Sequence, residues 1–575
     1  MRLGIRVALF ALEHGTGARR FSRVSDAARA RRLDRLGAAG GLRRDLFVLL
    51  KALASFGYGR DARVVGELGI EQRCRTAADV PAPPRLVTVP PDGDEACDVV
   101  VVGSGAGGAT AARVLAEAGL SVVVLEEGEH HDRSSYSADP LEALPMLYRD
   151  SGMTACEGRP VIPLPVGRCV GGTTVINSGT VFRAPDDVLM SWRDEFGVGW
   201  APDLEGEFES LERDLRVAPV DPLTAGRNAE LCRAGAEAIG AANGPLLRNA
   251  GDVTCCGTCP TGCELDAKQA AHVSELPRAC AAGAVVRPGV RVEEVIVEGG
   301  RAVGVRGRVV SDGGTYEVSS RAVVLAGGAL GTPELLLRQG LANSSGEVGR
   351  RLHIHPACWV GARFDDEVRG WDGVMQSWHV GEWQTEGLFL EATFTPFAFG
   401  AHWLPGAGEE FKRRLERYAN LAIIGVHLSD RSEGRLRVRG GALRIGYRLT
   451  DDDAARLRFG IARAADIHFA AGAREVYPQV GSLAVLGPGE QRHVEDGRFR
   501  PSDLRLEAFH PMGTARMGSD PARSVVSPSG ETHDVPGLFV ADASLFPSSL
   551  RVNPMLTVMA CARRVARGVT AQLLN

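Results

Sequence analysis

Apolar and polar positions form their clearest pattern around residue 100, where three kinds of segment follow one another. Residues 97–102 are apolar except for Asp98, residues 103–108 are rich in glycine, and residues 109–118 have a helical periodicity that ends at Gly119. Residues 121–125 are apolar again. A buried strand, a helix and a second buried strand in this order predict a βαβ unit with parallel strands.

The pattern changes in the later parts of the chain. Residues 285–298 and 304–308 alternate like paired strands, and residues 321–325 indicate another buried strand. Between about residues 356 and 500, segments such as 388–399 indicate an antiparallel sheet, and five of the seven tryptophans fall in this part. We expect this sheet to face a substrate. Residues 554–573 predict a helix with proline at its first position.

Residues 1 to about 94 form a helical preface to this fold. An arginine-rich stretch, 18–44, runs into an amphipathic segment, 45–56, and five prolines then crowd residues 81–91. Proline cannot continue a helix, so these positions predict a linker. We interpret the preface as a cap packed on the main fold; the alternative is a membrane-binding helix. The apolar run 7–12 is too short for a signal peptide.

Composition and charge narrow the function classes. The formal net charge is −5, which offers no basic field for binding nucleic acid. Eight of the twelve cysteines stand alone, as is typical of a protein in a reducing cytoplasm. No segment approaches the roughly 20 apolar residues that span a bilayer. We therefore expect a cytoplasmic protein with no nucleic-acid partner, peripheral to a membrane if it contacts one.

The glycine-rich turn carries the first candidate site. Gly103, Gly105 and Gly108 have the GxGxxG spacing, which permits a tight turn, a close approach to a pyrophosphate and close helix packing. Glu126 stands where an acid commonly holds the ribose hydroxyls of a dinucleotide. The motif predicts a dinucleotide site but does not distinguish FAD from NAD.

Four further segments together resemble the glucose-methanol-choline (GMC) family of FAD-dependent oxidoreductases. The first segment, residues 167–177, reads GRCVGGTTVIN; the second, residues 328–337, reads GALGTPELLL, with Gln339 and Ala342 where serine and glycine are usual. The third, residues 348–356, reads VGRRLHIHP. The fourth is a C-terminal block with HPMGTARMG at 510–518, GLFVADAS at 537–544 and NPMLT at 553–557. The cysteine-rich segment 255–263, followed by DAKQ at 266–269, resembles the branch of long-chain alcohol oxidases and cholesterol oxidase.

This resemblance implies an α/β fold class: a Rossmann-like FAD-binding domain, a discontinuous α+β substrate domain and a helical N-terminal extension. We expect residues 1–94 to be the extension and linker, and residues 95–355 to be the main part of the FAD-binding domain, with insertions around 190–250. Residues 356–500 would form the substrate-binding domain, and residues 501–575 the C-terminal part of the FAD-binding domain, which carries the catalytic residues.

The resemblance also implies site residues. In the family, the histidine that begins the C-terminal block acts on the substrate hydroxyl, an aspartate contacts the flavin side chain, and a polar residue before a proline assists. These positions are His510, Asp542 and Asn553. His510 and Asn553 are the candidate catalytic residues. The candidate FAD-binding residues are Gly103, Gly105, Ala106, Gly108, Glu126, Gly171, Gly172, Thr173, Asn177, Asp542, Ala543, Pro554 and Met555.

The chemistry of alcohol oxidation suits these residue types. Removal of hydride from a carbinol carbon requires the hydroxyl proton to leave too, and histidine is a suitable base near neutral pH. An asparagine amide can orient the same oxygen, although Asn553 could instead be a plain helix N-cap. The positive end of the C-terminal helix could face the charge of a reduced flavin. His353 and His355 are interpreted as packing or loop residues.

A cysteine cluster leaves one alternative open. Cys255, Cys256, Cys259 and Cys263 could ligate zinc or an iron–sulfur cluster, but their spacing fits neither pattern well. We favour a structural turn of buried thiols near the flavin, and expect no metal.

The expected function is FAD-dependent oxidation of the CH–OH group of a bulky or lipophilic alcohol, with oxygen or another electron acceptor. The alternatives are an iron–sulfur-linked flavin dehydrogenase and a catalytically silent flavin-binding protein.

Overall fold

The computed structural model describes residues 9–14, 19–39, 42–70, 84–250 and 257–575. The α-helices used below are α1 (Asp26–Ala38), α2 (Leu42–Arg60), α3 (Ala62–Glu67), α4 (Ala106–Glu117), α5 (Pro140–Leu147), α6 (Asp186–Phe196), α7 (Glu205–Asp214), α8 (Arg227–Ala238), α9 (Glu275–Ala281), α10 (Gly328–Gln339), α11 (Phe397–Gly400), α12 (Gly408–Leu415), α13 (Asp451–Ala470), α14 (Arg492–Glu495) and α15 (Met555–Leu574). The strands are β1 (Glu95–Val102), β2 (Val122–Leu125), β3 (Ala155–Cys156), β4 (Ile162–Pro163), β5 (Ala218–Pro219), β6 (Asn243–Pro245), β7 (Leu247–Arg248), β8 (Val285–Arg287), β9 (Val290–Glu298), β10 (Arg301–Val309), β11 (Thr315–Leu325), β12 (Pro356–Arg363), β13 (Gln376–Val380), β14 (Leu388–Thr393), β15 (Leu421–Leu428), β16 (Arg435–Arg439), β17 (Ala442–Gly446), β18 (Glu475–Tyr477), β19 (Glu507–Ala508) and β20 (Leu538–Val540).

The first sheet has the order β8-β2-β1-β11-β10-β9, and β20 pairs with the end of β11. Strands β8, β2, β1, β11 and β20 are parallel, whereas β9 and β10 are antiparallel. Helices α4 and α15 pack together beside this sheet. The centre of β1, Val99 to Val101, is fully buried, which explains its unbroken apolar sequence. The predicted βαβ unit and α/β fold class are confirmed.

The glycine motif brings the two ends of the chain together. Gly103 has φ +105°, and a Cβ there would lie 2.4 Å from the Ala326 carbonyl oxygen at the end of β11. A Cβ on Gly107 would lie 1.8 Å from the Ala541 carbonyl oxygen, just after β20. Only glycine allows these approaches. The motif therefore docks the C-terminal block as well as forming the turn after β1.

The second sheet is antiparallel, as the pattern between residues 356 and 500 predicts. Its order is β18-β12-β15-β14-β13-β6, with β19 also paired to β12. Helix α13 packs on β12, β14 and β15, and helix α8 packs on β6, β13, β14 and β15. Strand β6 and helix α8 precede residue 356, so part of the insertion around 190–250 packs with this sheet.

The N-terminal helices α1 and α2 pack on the part of the chain between residues 356 and 500. Helix α2 contacts α11, and α1 contacts α12. The buried Lys51 ammonium donates hydrogen bonds to the carbonyl oxygens of Leu404 and Gly406. This packing agrees with the interpretation of the preface as a cap. Residues 71–83, which include the first prolines of the expected linker, lie outside the described residues. Within the part of the chain that the structure describes, no helix is long and apolar enough to cross a bilayer.

The C-terminal helix begins one residue later than predicted. Pro554 is the N-cap residue, and the helical residues start at Met555. Pro554 has φ −82° and ψ −14°, values compatible with its fixed ring geometry. The prediction of a helix here holds, but proline precedes the first helical residue rather than occupying it.

Candidate functional site

A cavity of about 680 Å³ extends from the first sheet to the second. At one end it touches the carboxyl ends of β1, β2 and β11, where parallel sheets commonly bind nucleotides. At the other end it is bounded by residues of β12, β13 and β15. The sequence-predicted residues that line it are Gly103, Gly105, Ala106, Glu126, Gly172, Thr173, Asn177, His510, Asp542, Ala543, Asn553, Pro554 and Met555.

Two predicted cofactor-binding glycines lie behind this lining. A Cβ on Gly108 would meet the Gly103 carbonyl oxygen at 2.0 Å, so this glycine packs helix α4 against its own preceding turn. Gly171, with φ +98°, packs against Val175 and His272. The lining positions next to them are Gly107 and Gly172. Gly107 is thus a lining residue that the motif spacing did not single out.

Glu126 is buried at the nucleotide end of the cavity. Its Oε2 accepts hydrogen bonds from the Ser104 amide (3.1 Å) and hydroxyl (2.6 Å), and its Oε1 accepts one from the Gly128 amide (3.0 Å). Burial raises the pKa of Glu126 to about 7, although these donors act in the opposite direction. Ser104 also accepts a hydrogen bond from the Gly171 amide at 3.0 Å, which ties the loop at 167–177 to the first motif.

Asp542 connects three segments at the middle of the cavity. Its Oδ2 accepts hydrogen bonds from the Gly328 amide (2.8 Å) and the Thr332 hydroxyl (2.5 Å), and its Oδ1 accepts one from the Ser544 amide (2.8 Å). Gly328 and Thr332 belong to the first turns of α10. Burial raises the pKa of Asp542 above its usual value. This carboxyl group therefore fixes the C-terminal block against the second family-like segment.

The start of α15 places Asn553 at the cavity. Asn553 is buried, and its side chain makes no hydrogen bond to any described residue. The N-cap position is occupied by Pro554, and no side chain caps the helix. Asn553 is therefore not a helix cap in this structure, and its amide is available to a ligand. Met555 receives a contact from the Asn177 amide nitrogen at 3.3 Å.

His510 lies at the opposite end of the cavity from Glu126. Its Nδ1 lies 3.2 Å from Nδ1 of His355, and the two rings are perpendicular. The centroid of the His427 ring lies 6.1 Å from that of His510, with the two rings inclined by 25°. Burial, with a contribution from His427, lowers the pKa of His510 to about 3. The imidazole is therefore neutral at physiological pH, and its Nε2 has no hydrogen-bond partner among the described residues.

Several polar residues at this end were not identified from the sequence. His427 and Gln376 line the cavity, and the buried Glu391 lies behind them. Nε2 of His427 is 2.8 Å from Oε2 of Glu391, and the Gln376 amide donates to the same oxygen at 3.2 Å. No alternation marks these residues, because strands β13, β14 and β15 are buried along nearly their whole length, and no motif marks their chemistry. Of the five tryptophans in this region, only Trp359 lines the cavity.

The cysteine cluster lies only partly within the described residues, because Cys255 and Cys256 fall outside them. Cys259 is buried, and its sulfur accepts a hydrogen bond from Arg248 at 3.4 Å. Cys263 is half-buried. Among the described residues, no three His, Cys, Asp or Glu side chains are grouped as metal ligands. The nearby Lys268 donates to the carbonyl oxygens of Val175 and Asn177, in the segment that lines the cavity.

The cavity suits a flavin dinucleotide in shape and chemistry. Glycine backbone and the N-terminus of α4 form its nucleotide end, and a helix N-terminus favours phosphate groups. The segment 172–177 and the start of α15 line the region between that end and His510. The residues present therefore form one continuous wall from a nucleotide site to a histidine.

The family comparisons agree with this geometry. Two family models described as GMC oxidoreductase match residues 144–357 and 430–562, and one described as FAD binding domain matches residues 98–141. The fold and these matches define an FAD-dependent oxidoreductase. The chain belongs to the GMC oxidoreductase family. The family, the fold class and the FAD cofactor predicted from the sequence are confirmed.

Individual relatives support the assignment. An uncharacterised GMC-type oxidoreductase of Mycobacterium tuberculosis is 42% identical over 83% of this chain and 76% of its own length. A long-chain-alcohol oxidase of Arabidopsis thaliana is 32% identical over 81% of this chain and 67% of its own length. An Aspergillus oryzae formate oxidase variant has a similar fold, with a TM-score of 0.62 and 18% identity over 84% of this chain and 99% of its own.

Proposed function

We propose that this enzyme oxidises the CH–OH group of a bulky or lipophilic alcohol, with His510 as the base that takes the hydroxyl proton. The observation that carries this proposal is that His510 and Asn553 line the same cavity as the dinucleotide motif. FAD, when bound, accepts the hydride at its isoalloxazine ring. The remaining steps are carried out by residues of this chain.

His510 is uncharged, as a group that is to accept a proton must be. Because burial keeps the imidazole neutral, the base form is present at neutral pH without prior loss of a proton. With Nδ1 directed at His355, Nε2 is the nitrogen available to a substrate hydroxyl. As the carbon–hydrogen bond breaks, the hydroxyl proton would move to this nitrogen.

Asn553 would hold the substrate oxygen. Its amide offers two N–H donors and has no partner among the described residues, so a substrate oxygen would satisfy a buried polar group. An amide does not compete for the proton at neutral pH. This assignment separates orientation by Asn553 from proton transfer by His510.

The proposed substrate class rests on the lining near His510. Phe509 adjoins His510 and Trp359 packs on Phe509, with ring centroids 6.1 Å apart. Met375 and Leu330 add apolar lining to the same cavity, and such surfaces bind an apolar chain or ring system. The Arabidopsis relative is named as a long-chain-alcohol oxidase. Because Trp359, Met375 and His427 come from the region 356–500, we assign substrate binding to that region. Cytoplasmic location and peripheral membrane contact stay predictions.

The test is anaerobic mixing of the purified FAD-loaded protein with long-chain alcohols, sterols and sugars while flavin absorbance is followed. We expect bleaching with at least one apolar alcohol and none with sugars. An unchanged flavin spectrum with every alcohol would instead support a silent flavin-binding protein. Iron analysis of the same anaerobic preparation tests the iron–sulfur alternative, and reoxidation with oxygen or an artificial acceptor identifies the acceptor class.

A further inference from the structure

The side chains of His355 and His510 meet because their backbones run side by side. The Met512 amide donates to the His353 carbonyl oxygen (2.9 Å), and the His353 amide donates to that of Met512 (3.1 Å). The His510 amide donates to the Ile354 carbonyl oxygen at 3.3 Å. These bonds extend the pairing of β12 with β19. The main chain therefore sets the approach of the two imidazoles.

A buried carboxylate holds His355 in an unusual backbone conformation. His355 has φ +50°, in the left-handed region that non-glycine residues seldom occupy. Asp430 accepts hydrogen bonds from the amides of Ile354 (3.0 Å) and His355 (3.3 Å), and from the Tyr447 hydroxyl (2.8 Å). The surrounding structure thus maintains a locally unfavourable conformation that directs the His355 ring at His510.

The contacts of His355 on its far side favour one position for its proton. Its Nε2 is 2.9 Å from the Ser549 hydroxyl, which is 3.4 Å from Oδ1 of Asp430 and 2.9 Å from the Ser429 hydroxyl, a group that can donate to Ser549. If Nε2–H of His355 donates to Ser549 and Ser549 donates to Asp430, each of these groups has a suitable partner. In the reverse arrangement, Ser549 donates to His355 and the carboxylate loses this donor. The first arrangement leaves Nδ1 of His355 as an acceptor.

The contact between the Nδ1 atoms of His355 and His510 then sets the tautomer of His510. Two Nδ1 atoms 3.2 Å apart form a hydrogen bond only if one of them carries a proton. We propose that His355 is a positioning residue. Its unprotonated Nδ1 accepts a hydrogen bond from Nδ1–H of His510, and the Nε2 lone pair of His510 is therefore left facing the cavity. This inference rests on the proposed function, in which that lone pair receives the substrate proton.

The charge state of His355 is consistent with this role. Burial and the nearby His510, His427 and His353 hold the pKa of His355 well below its usual value. A neutral ring can accept a hydrogen bond, whereas a protonated ring cannot. Without this acceptor, the Nδ1–H of His510 loses its partner, and the ring can adopt the Nε2–H tautomer. That tautomer presents a donor, not a base, to a hydroxyl group.

The test compares two substitutions of the same residue. His355→Leu removes the acceptor, whereas His355→Asn keeps an acceptor near the Nδ1 position and tolerates the left-handed backbone. His353→Gln is the matched control in the same segment, because the His353 imidazole makes no hydrogen bond to His510 or Ser549 among the described residues. We expect His355→Leu to reduce its flavin at least roughly tenfold more slowly at saturating alcohol, as tautomer control is important for catalytic histidines. The apparent affinity for alcohol should change little.

A double variant shows whether His355 acts through His510. Adding His355→Leu to His510→Ala should cause no further loss of rate, because the base that His355 positions is already absent. His355→Asn should retain most of the wild-type rate, and His353→Gln should be close to wild type. FAD content and urea unfolding of each variant separate these effects from misfolding.

The tautomer itself can be measured independently of activity. Carbon-13 and nitrogen-15 ring signals of histidine-labelled, FAD-loaded protein distinguish Nδ1–H from Nε2–H, and the His510 signals are those missing from His510→Ala. We expect Nδ1–H in wild type and in His355→Asn. If the His355→Leu variant folds, the tautomer of its His510 should shift toward Nε2–H. If it does not fold, the His510 tautomer in wild type and in His355→Asn tests the role of His355.

The outcomes distinguish the proposed function from the proposed role of His355. A His510→Ala variant that reduces flavin at the wild-type rate would overturn the proposed function. A slow His510→Ala together with a His355→Leu of wild-type rate would overturn only the role of His355. Detection of the Nε2–H tautomer of His510 in wild type would also overturn that role.

Discussion

The two ends of the cavity are built in different ways. The nucleotide end comes mainly from one short stretch, with Gly103 directly after the first strand and Glu126 directly after the second strand of a single βαβ unit. The proton-transfer end that we propose combines His510 with His355, which is 155 residues away, and with His427 from the second sheet. The first end can be read from local spacing, whereas the second exists only when distant segments pair.

This difference separates two physical requirements. A pyrophosphate needs backbone amides and close approach, which glycines in a fixed turn supply locally. A base needs a shielded ring with its proton on a chosen nitrogen, which requires several partners around it. We therefore expect changes at the nucleotide end to act on cofactor binding and stability, and changes at the other end to act on rate.

The largest expected effect is that of His510→Ala. Loss of a general base typically slows the chemical step by about 10² to 10⁴, or roughly 3 to 5 kcal/mol of barrier. FAD content and thermal unfolding should stay near wild type. Anaerobic stopped-flow flavin reduction measures the rate. His468→Ala is the contrasting control: this histidine is buried against the Val360 carbonyl oxygen, so its loss should lower stability and leave the rate largely intact.

A smaller effect is expected from Glu126→Gln in FAD-free protein. The pKa of Glu126 is raised from 4.5 to about 7 on folding, so its contribution to stability is full below pH 4.5 and is lost as the pH rises toward 7. Over this window the contribution of Glu126 to the free energy of unfolding should fall by up to about 3 kcal/mol in wild type. Urea unfolding between pH 4.5 and 8 should show this fall flattened in Glu126→Gln but not in Glu127→Gln. Equal pH dependence in all three proteins would contradict the assignment.

The smallest effect is expected from Asn553→Ala. One lost hydrogen bond to the substrate oxygen corresponds to about 0.5 to 1.5 kcal/mol, or roughly two- to tenfold in flavin reduction. Stability should be unchanged, because Asn553 does not cap α15. Thr450→Ala is the comparison: Thr450 caps α13 by accepting a hydrogen bond from the Asp453 amide, and its loss should cost about 1 kcal/mol. If Asn553→Ala lost that stability at normal rate, we would withdraw its role in orienting the substrate.

Much of the fold could be predicted from the sequence. The strands at β1, β2 and β11, the helix after the glycine turn and the antiparallel second sheet all follow from periodicity and turn residues. The lining residues Gly107 and His427 were not predicted. Gly107 is defined by its approach to Ala541, and His427 by the pairing of β15 between β12 and β14. Neither contact leaves a spacing in the sequence, because each joins segments far apart in the chain.

The sequence by itself determined the family, the cofactor and the nucleotide motif, because these depend on short runs of residues whose backbone geometry is local. Only the tertiary structure decided that His355 contacts His510 and that Asn553 is not a helix cap. It also decided that Trp359, rather than the other four tryptophans of the same region, lines the cavity. These outcomes depend on burial and on the pairing of distant strands, which local pattern does not encode.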